Sequence, residues 1–386
     1  MYTIRCVNKI APIGLDIFDP KQFEMNNDDA NPAGIMVRSA KLHDMELPGS
    51  LLAIARAGAG TNNIPLDKCA EKGIVVFNTP GANANAVREL AVCALFLSSR
   101  DIDGGIRWAR DLEGDDVAAQ VEKGKTAFVG PEILGKTLGV VGLGAIGVGV
   151  ANAAHHLGMK VLGFDPYISV DAAWGLSRNV SRYHDLNKLL AECDYISLNL
   201  PLNTYTKHMI NSVTLSLVKP GVRILNFARA ELVNDDDIVT ALESGSVARY
   251  VTDFPTPRIN KHPKVVPIPH LGASTPESED NCAVMAAHEL SDYLMFGNIK
   301  NSVNYPDVEM SKGDGIRLCV AHKNVPQMLQ RISTFMGETN INIDNMVNKS
   351  KNDYAYTMLD TTSEISDKLI ESLMAVEGII KVRVLR

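Results

Sequence analysis

Leu138-Gly139-Val140-Val141-Gly142-Leu143-Gly144-Ala145-Ile146-Gly147 joins an apolar run to a Gly-x-Gly-x-x-Gly pattern. The run predicts a buried strand over 138–142, and the glycines predict a turn that opens a helix over 145–156. A second apolar strand, over 159–164, ends on Asp165, 18 positions after Gly147. Strand, glycine turn, helix, strand and acid together specify a βαβ unit that binds a dinucleotide. Gly142 permits the tight turn, Gly144 lets the backbone approach a pyrophosphate, and Gly147 lets helix and strand pack closely. The free N–H groups of the first helical turn attract phosphate charge. Asp165 can accept hydrogen bonds from a ribose 2′-hydroxyl and would repel a 2′-phosphate, so the expected cofactor is NAD rather than NADP.

The rest of the chain supports a large α/β protein. With 386 residues, two or three domains are expected, and 46% hydrophobic residues suffice for extensive cores. A formal net charge of -7, without any basic run, argues against nucleic acid as a partner. No apolar stretch approaches the ~20 residues of a membrane span. The opening residues 1–12 mix Arg5, Asn8 and Lys9 into a strand-like pattern, which is expected to belong to the fold rather than to a secretion leader. Six scattered cysteines (Cys6, Cys69, Cys93, Cys193, Cys282, Cys319) form no Cys-x-x-Cys pair. They read as small buried hydrophobes of a reducing cytoplasm, with neither a metal nor a disulfide expected.

Strands and helices alternate between residues 100 and 285, which predicts a parallel sheet covered on both faces, a Rossmann-type domain. Strands are expected over 138–142, 160–164, 195–198, 223–226, 248–252 and 265–268. Ligands bind beyond the carboxyl ends of such strands. Those ends carry Asp165, Pro201, Arg229, Asp253 and His270. A long helix over 276–296 is expected to cross back to the first segment, making residues 1–97 and 286–305 one discontinuous, flavodoxin-like substrate domain. The nucleotide domain then spans 98–285. A polar, glycine-containing linker is expected over 306–315. Residues 316–386 read β-α-β-β-α-β, a ferredoxin-like module.

Several ordered motifs carry a resemblance over nearly the whole chain. They are Arg56-Ala57-Gly58-Ala59-Gly60-Thr61-Asn62-Asn63-Ile64, Asn78-Thr79-Pro80 with Asn83, the nucleotide motif at 135–147, Pro201-Leu202 with Thr206, Lys219-Pro220-Gly221, Asn226-Phe227-Ala228-Arg229, and Pro269-His270-Leu271-Gly272-Ala273-Ser274-Thr275. The chain resembles the D-isomer-specific 2-hydroxyacid dehydrogenases, in particular those members that oxidise 3-phospho-D-glycerate and carry a C-terminal ACT domain. The resemblance implies NAD contacts at Ala145, Ile146, Pro201, Thr206, Phe227, Ala228, Asp253, Gly272 and Ala273, besides Gly142, Gly144, Gly147 and Asp165. It also implies substrate contacts at Arg56, Ala59, Gly60 and Asn83.

The chemistry of these residue types agrees. Hydride exchange between an alcohol and NAD needs a cation for the substrate carboxylate, which Arg229 supplies in fork geometry. It needs a proton acceptor, which His270 supplies. Backbone donors of Gly58-Ala59-Gly60 suit the carboxylate, and Arg56 suits a substrate phosphate. The expected partner is thus a phosphorylated 2-hydroxyacid. One rival is a glyoxylate, hydroxypyruvate or other 2-hydroxyacid reductase, and another is a non-catalytic NAD-sensing interaction protein.

The chain departs from the family where an Asp-x-Phe-x-x-Glu-Pro-like segment usually supplies a Glu to the catalytic His. Here the segment is Val251-Thr252-Asp253-Phe254-Pro255-Thr256-Pro257, with no Glu before Pro257. Asp253 is expected to bind the nicotinamide carboxamide, to lie against His270 in place of that Glu, or to do some of both. Ala145 stands where the family often has Arg or Lys, Asn199 where it has His, and Ala230 where it has Gly. In the C-terminal module, His322, Asn324 and Asn342 match a set that binds L-serine between two ACT domains, while Gln327 replaces a glycine. A homodimer or homotetramer is the expected assembly.

Overall fold

β-Branched and aliphatic runs build three sheets in the computed structural model, which describes residues 1–311, 313 and 315–386. The chain divides into two units, Met1–Asn83 with Pro276–Arg386, and Ala84–Thr275. Among the described residues no helix is long and apolar enough to cross a membrane.

In the second unit seven parallel strands lie in the order Val265–Pro267, Val247–Thr252, Val222–Asn226, Tyr195–Leu198, Thr137–Val141, Lys160–Phe164, Ser181–Arg182. Numbered along the chain this is the doubly wound order 3-2-1-4-5-6, extended by a seventh strand. The outermost strand, Ser181–Arg182, escapes sequence reading because two exposed polar residues carry no alternation. Helix Ala84–Ser99 buries Val87, Ala91, Ala94 and Leu95 in this unit's core, together with Val140, Val150 and Val251. The helix therefore belongs here, and the boundary expected at 98 falls before Ala84.

In the first unit five parallel strands lie in the order Phe23–Met25, Tyr2–Cys6, Gly34–Val37, Ala53–Arg56, Val75–Phe77, the flavodoxin-like 2-1-3-4-5. Helix Pro276–Phe296 buries Ala283, Ala287, Leu290 and Tyr293 against Met36, Ala53, Ala55 and Phe77. Its whole length joins this unit, so the boundary expected at 285 falls at 275. The region expected to be a linker is partly core: Val308 is fully buried and exchanges backbone hydrogen bonds with Ile299. Lys312 and Asp314 of that region lie outside the described residues.

The C-terminal sheet is antiparallel, in the order Asn345–Lys351, Tyr354–Thr361, Ile316–Lys323, Ile379–Leu385. Strand alternation splits its side chains between two cores. Leu318, Val320 and Leu359 pack beneath helices Met328–Glu338 and Asp367–Met374. Cys319, Ala321, Tyr356, Met358 and Leu385 face the other way and merge with the core of the five-stranded sheet. Two buried guanidiniums secure that face. Arg317 is paired in fork geometry with Asp360 (2.7 and 2.8 Å) and donates to the Phe296 carbonyl (2.9 Å). Arg383 donates to the carbonyls of Tyr293 and Leu294 (3.2 and 2.9 Å). The carbonyls of Leu294 and Phe296, in the last turn where helical N–H groups run out, are thereby satisfied, and that of Tyr293 also accepts the Gly297 N–H (2.9 Å). Cys69, Cys193, Cys282 and Cys319 are buried as expected, whereas Cys93 is exposed and Cys6 half-buried; all six are free thiols.

Candidate active site

Strand register lines up the residues that matter in the second unit. Val141 pairs with Phe164 and Leu198, and Asn226 pairs with Leu198 and Thr252. The next residue on each strand leaves the sheet at the same edge. Asp165, Gly142, Asn199, Phe227 and Asp253 therefore stand in one row along the carboxyl ends.

At the glycine turn, Gly142 has φ 89°, and a Cβ there would sit 2.5 Å from the Asn199 carbonyl oxygen. A Cβ on Gly147 would overlap the Gly142 carbonyl oxygen. Gly144 is different, because a Cβ there would touch no atom of the chain. It caps helix Ala145–His156 without a side-chain hydrogen bond, so the first-turn N–H groups remain available to a ligand. The fit to a dinucleotide phosphate is good: donors converge where the chain needs no glycine for itself. Asp165 holds the turn, accepting the Leu143 N–H at 2.8 Å through Oδ2 and the Tyr167 N–H at 2.8 Å through Oδ1. The Thr206 hydroxyl donates to the Pro201 carbonyl (2.7 Å), closing the turn beyond strand Tyr195–Leu198.

Arg229 follows strand Val222–Asn226 and is exposed, with Nη1 donating to the Ala228 carbonyl (2.6 Å). Phe227, two residues before it, is buried. Asn226, fully buried, fixes the turn: its amide donates to the Arg229 carbonyl (2.9 Å) and to the Tyr250 hydroxyl (3.2 Å), and it accepts the Ala228 N–H (3.2 Å). Asp253 is buried at the end of strand Val247–Thr252. Its Oδ2 accepts the Gly272 N–H (3.1 Å), and its Oδ1 has no partner. His270 adopts φ 31° and donates its N–H to the carbonyls of Asp253 (3.2 Å) and Ile268 (3.0 Å). Burial pushes the Asp253 carboxyl above the usual range, and the Gly272 N–H and the positive charges of His270 and Arg229 oppose that shift. Arg229, Asp253 and His270 thus share one electrostatic neighbourhood.

The carboxyl of Asp253 does not take over the orienting hydrogen bond of the missing Glu, since one oxygen serves Gly272 and the other is unpartnered. The ring that faces the imidazole is Phe254, with centroids 4.8 Å apart at 55°. The Phe254 N–H donates to the Thr252 hydroxyl (3.1 Å).

In the first unit, strands Ala53–Arg56 and Val75–Phe77 are neighbours, so the loops after them meet. The Asn78 amide donates to the Ala59 carbonyl (2.6 Å), and the Thr79 N–H to that of Gly58 (3.2 Å). Arg56 donates through Nε to the Arg38 carbonyl (3.1 Å). Gly60 ends this loop, and Asn83 lies in the turn before Ala84–Ser99.

Residues 96–272 match the family model of the D-isomer specific 2-hydroxyacid dehydrogenase NAD binding domain. The chain is 30% identical to a D-3-phosphoglycerate dehydrogenase of Escherichia coli K12, an alignment covering 95% of this chain and 90% of that one. The chain belongs to the D-isomer-specific 2-hydroxyacid dehydrogenases. A D-3-phosphoglycerate dehydrogenase of Synechocystis is 34% identical over 70% of this chain and 49% of its own length, so the chain spans about half of that relative. A solved NAD-bound 3-phosphoglycerate dehydrogenase of Entamoeba histolytica is 26% identical, with a TM-score of 0.59 over 78% of this chain and 98% of that one. The seven-stranded unit of this dehydrogenase is accordingly an NAD-binding domain.

The residues expected to hold serine are not gathered within one chain. His322 is buried, with Nε2 against the Thr357 hydroxyl (2.9 Å) and Nδ1 against the Lys323 carbonyl (2.8 Å). The Asn324 amide donates to the Asn352 carbonyl (2.9 Å), and the Asn342 amide to Asp344 (2.8 Å). His322 pairs with Ala355, whereas Asn345 pairs with Asp360, which puts Asn342 beyond the opposite end of the strand. Five strand residues separate them by about 17 Å. Gln327, in place of the glycine, takes φ 66°, and helix Met328–Glu338 starts directly after it. Sequence reading missed the roles of Phe254, Asn226 and Tyr250. The one available signal was a buried amide closing an otherwise apolar strand.

Proposed function

We propose that this dehydrogenase oxidises 3-phospho-D-glycerate to 3-phosphohydroxypyruvate, the first step of L-serine synthesis, in the cytoplasm. The observation that carries the reading is the placement of Arg229, Asp253 and His270 beyond the carboxyl ends of neighbouring strands of an NAD-binding domain, with the His270 N–H on the Asp253 carbonyl (3.2 Å). Bound NAD supplies a nicotinamide ring that accepts the hydride from C2. Arg229, exposed and permanently charged, binds the substrate carboxylate and polarises the C2 oxygen. His270 accepts the hydroxyl proton as hydride leaves, and returns it in the reverse direction. Asp253 offers its unpartnered Oδ1 to the carboxamide of the nicotinamide.

A homodimer or homotetramer fits the same reading. Helices Ile102–Arg110 and Val117–Gly124 bury no residue in their own chain, and Ile106 and Val129 are 47% and 75% exposed. Serine binding by His322, Asn324 and Asn342 requires modules from two copies, because the three lie at opposite ends of one. Steady-state reduction of phosphohydroxypyruvate by NADH tests the activity, with hydroxypyruvate as the rival substrate. Arg229→Ala and His270→Ala should each lower kcat/KM by about 100-fold or more without altering the far-ultraviolet spectrum. Equal turnover of both substrates would favour a general hydroxyacid reductase, and unchanged variants would refute the site.

A further inference from the structure

Glu289 is a carboxylate that the dehydrogenase chemistry does not use. It lies on helix Pro276–Phe296, 7% exposed, among residues that pack on the five-stranded sheet. Its Oε1 accepts the Asn301 amide at 2.7 Å, and its Oε2 has no partner. Asn301 itself is held left-handed, φ 59°, and its carbonyl receives the Asn78 N–H (3.4 Å). Beside Glu289 opens a cavity of about 510 Å³, also lined by Val284, Met285, His288, Lys300 and Asn301. That volume lies within the range of small-molecule pockets.

The lining defines the ligand. A simple cation would satisfy Oε2 but meet the charge of Lys300. A simple anion would meet Lys300 but leave Oε2 unpaired. We propose that this cavity binds a small zwitterionic α-amino acid, its ammonium on Glu289, its carboxylate on Lys300 and its apolar side chain along Val284 and Met285. Before binding, burial pushes the Glu289 carboxyl up to about 8, with Asp307 adding to the shift and Lys300 opposing it. At neutral pH the group is therefore mostly protonated. Pairing with an ammonium ionises it, and the proton leaves to the buffer.

Titration calorimetry of the full-length protein with L-norleucine at pH 7, in buffers of different ionisation enthalpy, tests this. Saturable binding with release of close to one proton is expected, and both hexanoate and n-pentylammonium should bind at least tenfold more weakly. Glu289→Gln keeps an acceptor for Asn301 but should abolish the proton release and weaken norleucine at least tenfold. Lys300→Ala, a change at an exposed side chain, should weaken binding while leaving the proton release intact. The proposal fails if norleucine shows no saturable heat up to about 20 mM. It fails equally if Glu289→Gln binds with unchanged affinity and proton count. None of these readouts depends on turnover, so the oxidation proposed above stands or falls separately.

Discussion

The strand ends of the nucleotide domain and the C-terminal module both announce a ligand through their residue types, yet the structure treats them in opposite ways. At the first, the polar groups are left open: Gly144 caps its helix without a side chain, Arg229 is exposed, and Asp253 keeps an oxygen unpaired. At the second, His322, Asn324 and Asn342 each already have an internal hydrogen-bond partner. A ligand must therefore displace existing bonds in the C-terminal module, whereas the nucleotide turn offers donors at no such cost. Matching residue types identify a site only when the hydrogen-bond inventory leaves something over.

The contrast is broken most severely at the glycines. Gly147→Ala forces a methyl into the Gly142 carbonyl and should cost about 3 kcal/mol or more of stability, read as a large fall in urea midpoint. Gly144→Ala meets open space and should leave that midpoint in place while weakening NAD by roughly tenfold or more, measured by fluorescence titration. If both variants behaved alike, the division between a structural and a ligand-facing glycine would be wrong.

Phe254→Ala comes next. It removes the ring that packs on the imidazole and should lower kcat about tenfold with little change in the KM for NADH. An effect confined to KM would mean that Phe254 shapes binding rather than the pose of His270.

In the C-terminal module the expected effects are smaller. Burial holds the His322 pKa below its ordinary value. Its contribution to stability is fully present above the unfolded value of about 6.5 and is lost as the pH falls below it, because only the unfolded imidazole readily takes the proton. Thermal unfolding of wild type should drop on going from pH 7 to pH 5. His322→Gln should shrink that drop by a few degrees. An identical drop in the variant would show that His322 titrates in the folded chain as freely as in the unfolded one. The smallest effect belongs to Gln327→Gly, which relieves φ 66° and should stabilise by about 1 kcal/mol at most, partly offset by the added freedom of the unfolded chain.

The legible parts of the molecule are those governed by local periodicity. Helices Ala145–His156 and Pro276–Phe296 and strands Lys160–Phe164 and Tyr195–Leu198 have the bounds expected of them. Gly142 and Gly147 were legible because steric requirements at a tight turn admit few residue types, whereas the hydrogen bonds of Asp165 to the Leu143 and Tyr167 N–H groups were not. Ser181–Arg182 and the helix starting at Met328 were obscure, since sheet extension and a left-handed Gln327 are decided by neighbours.

From the order of residues alone came the doubly wound nucleotide unit, the flavodoxin-like sheet, the βαββαβ module and the residues from which a dehydrogenase site could be made. The order of strands and helices follows from short-range sterics and alternation, which act on neighbours along the chain, and the site residues from the family motifs that contain them. Only the tertiary structure decided that Phe254 rather than a carboxylate backs His270, that Asn342 stands far from His322, and that Glu289 is buried with one oxygen unpaired. Each of these depends on which distant side chains exclude water from a group, and burial of that kind is a property of the packed fold.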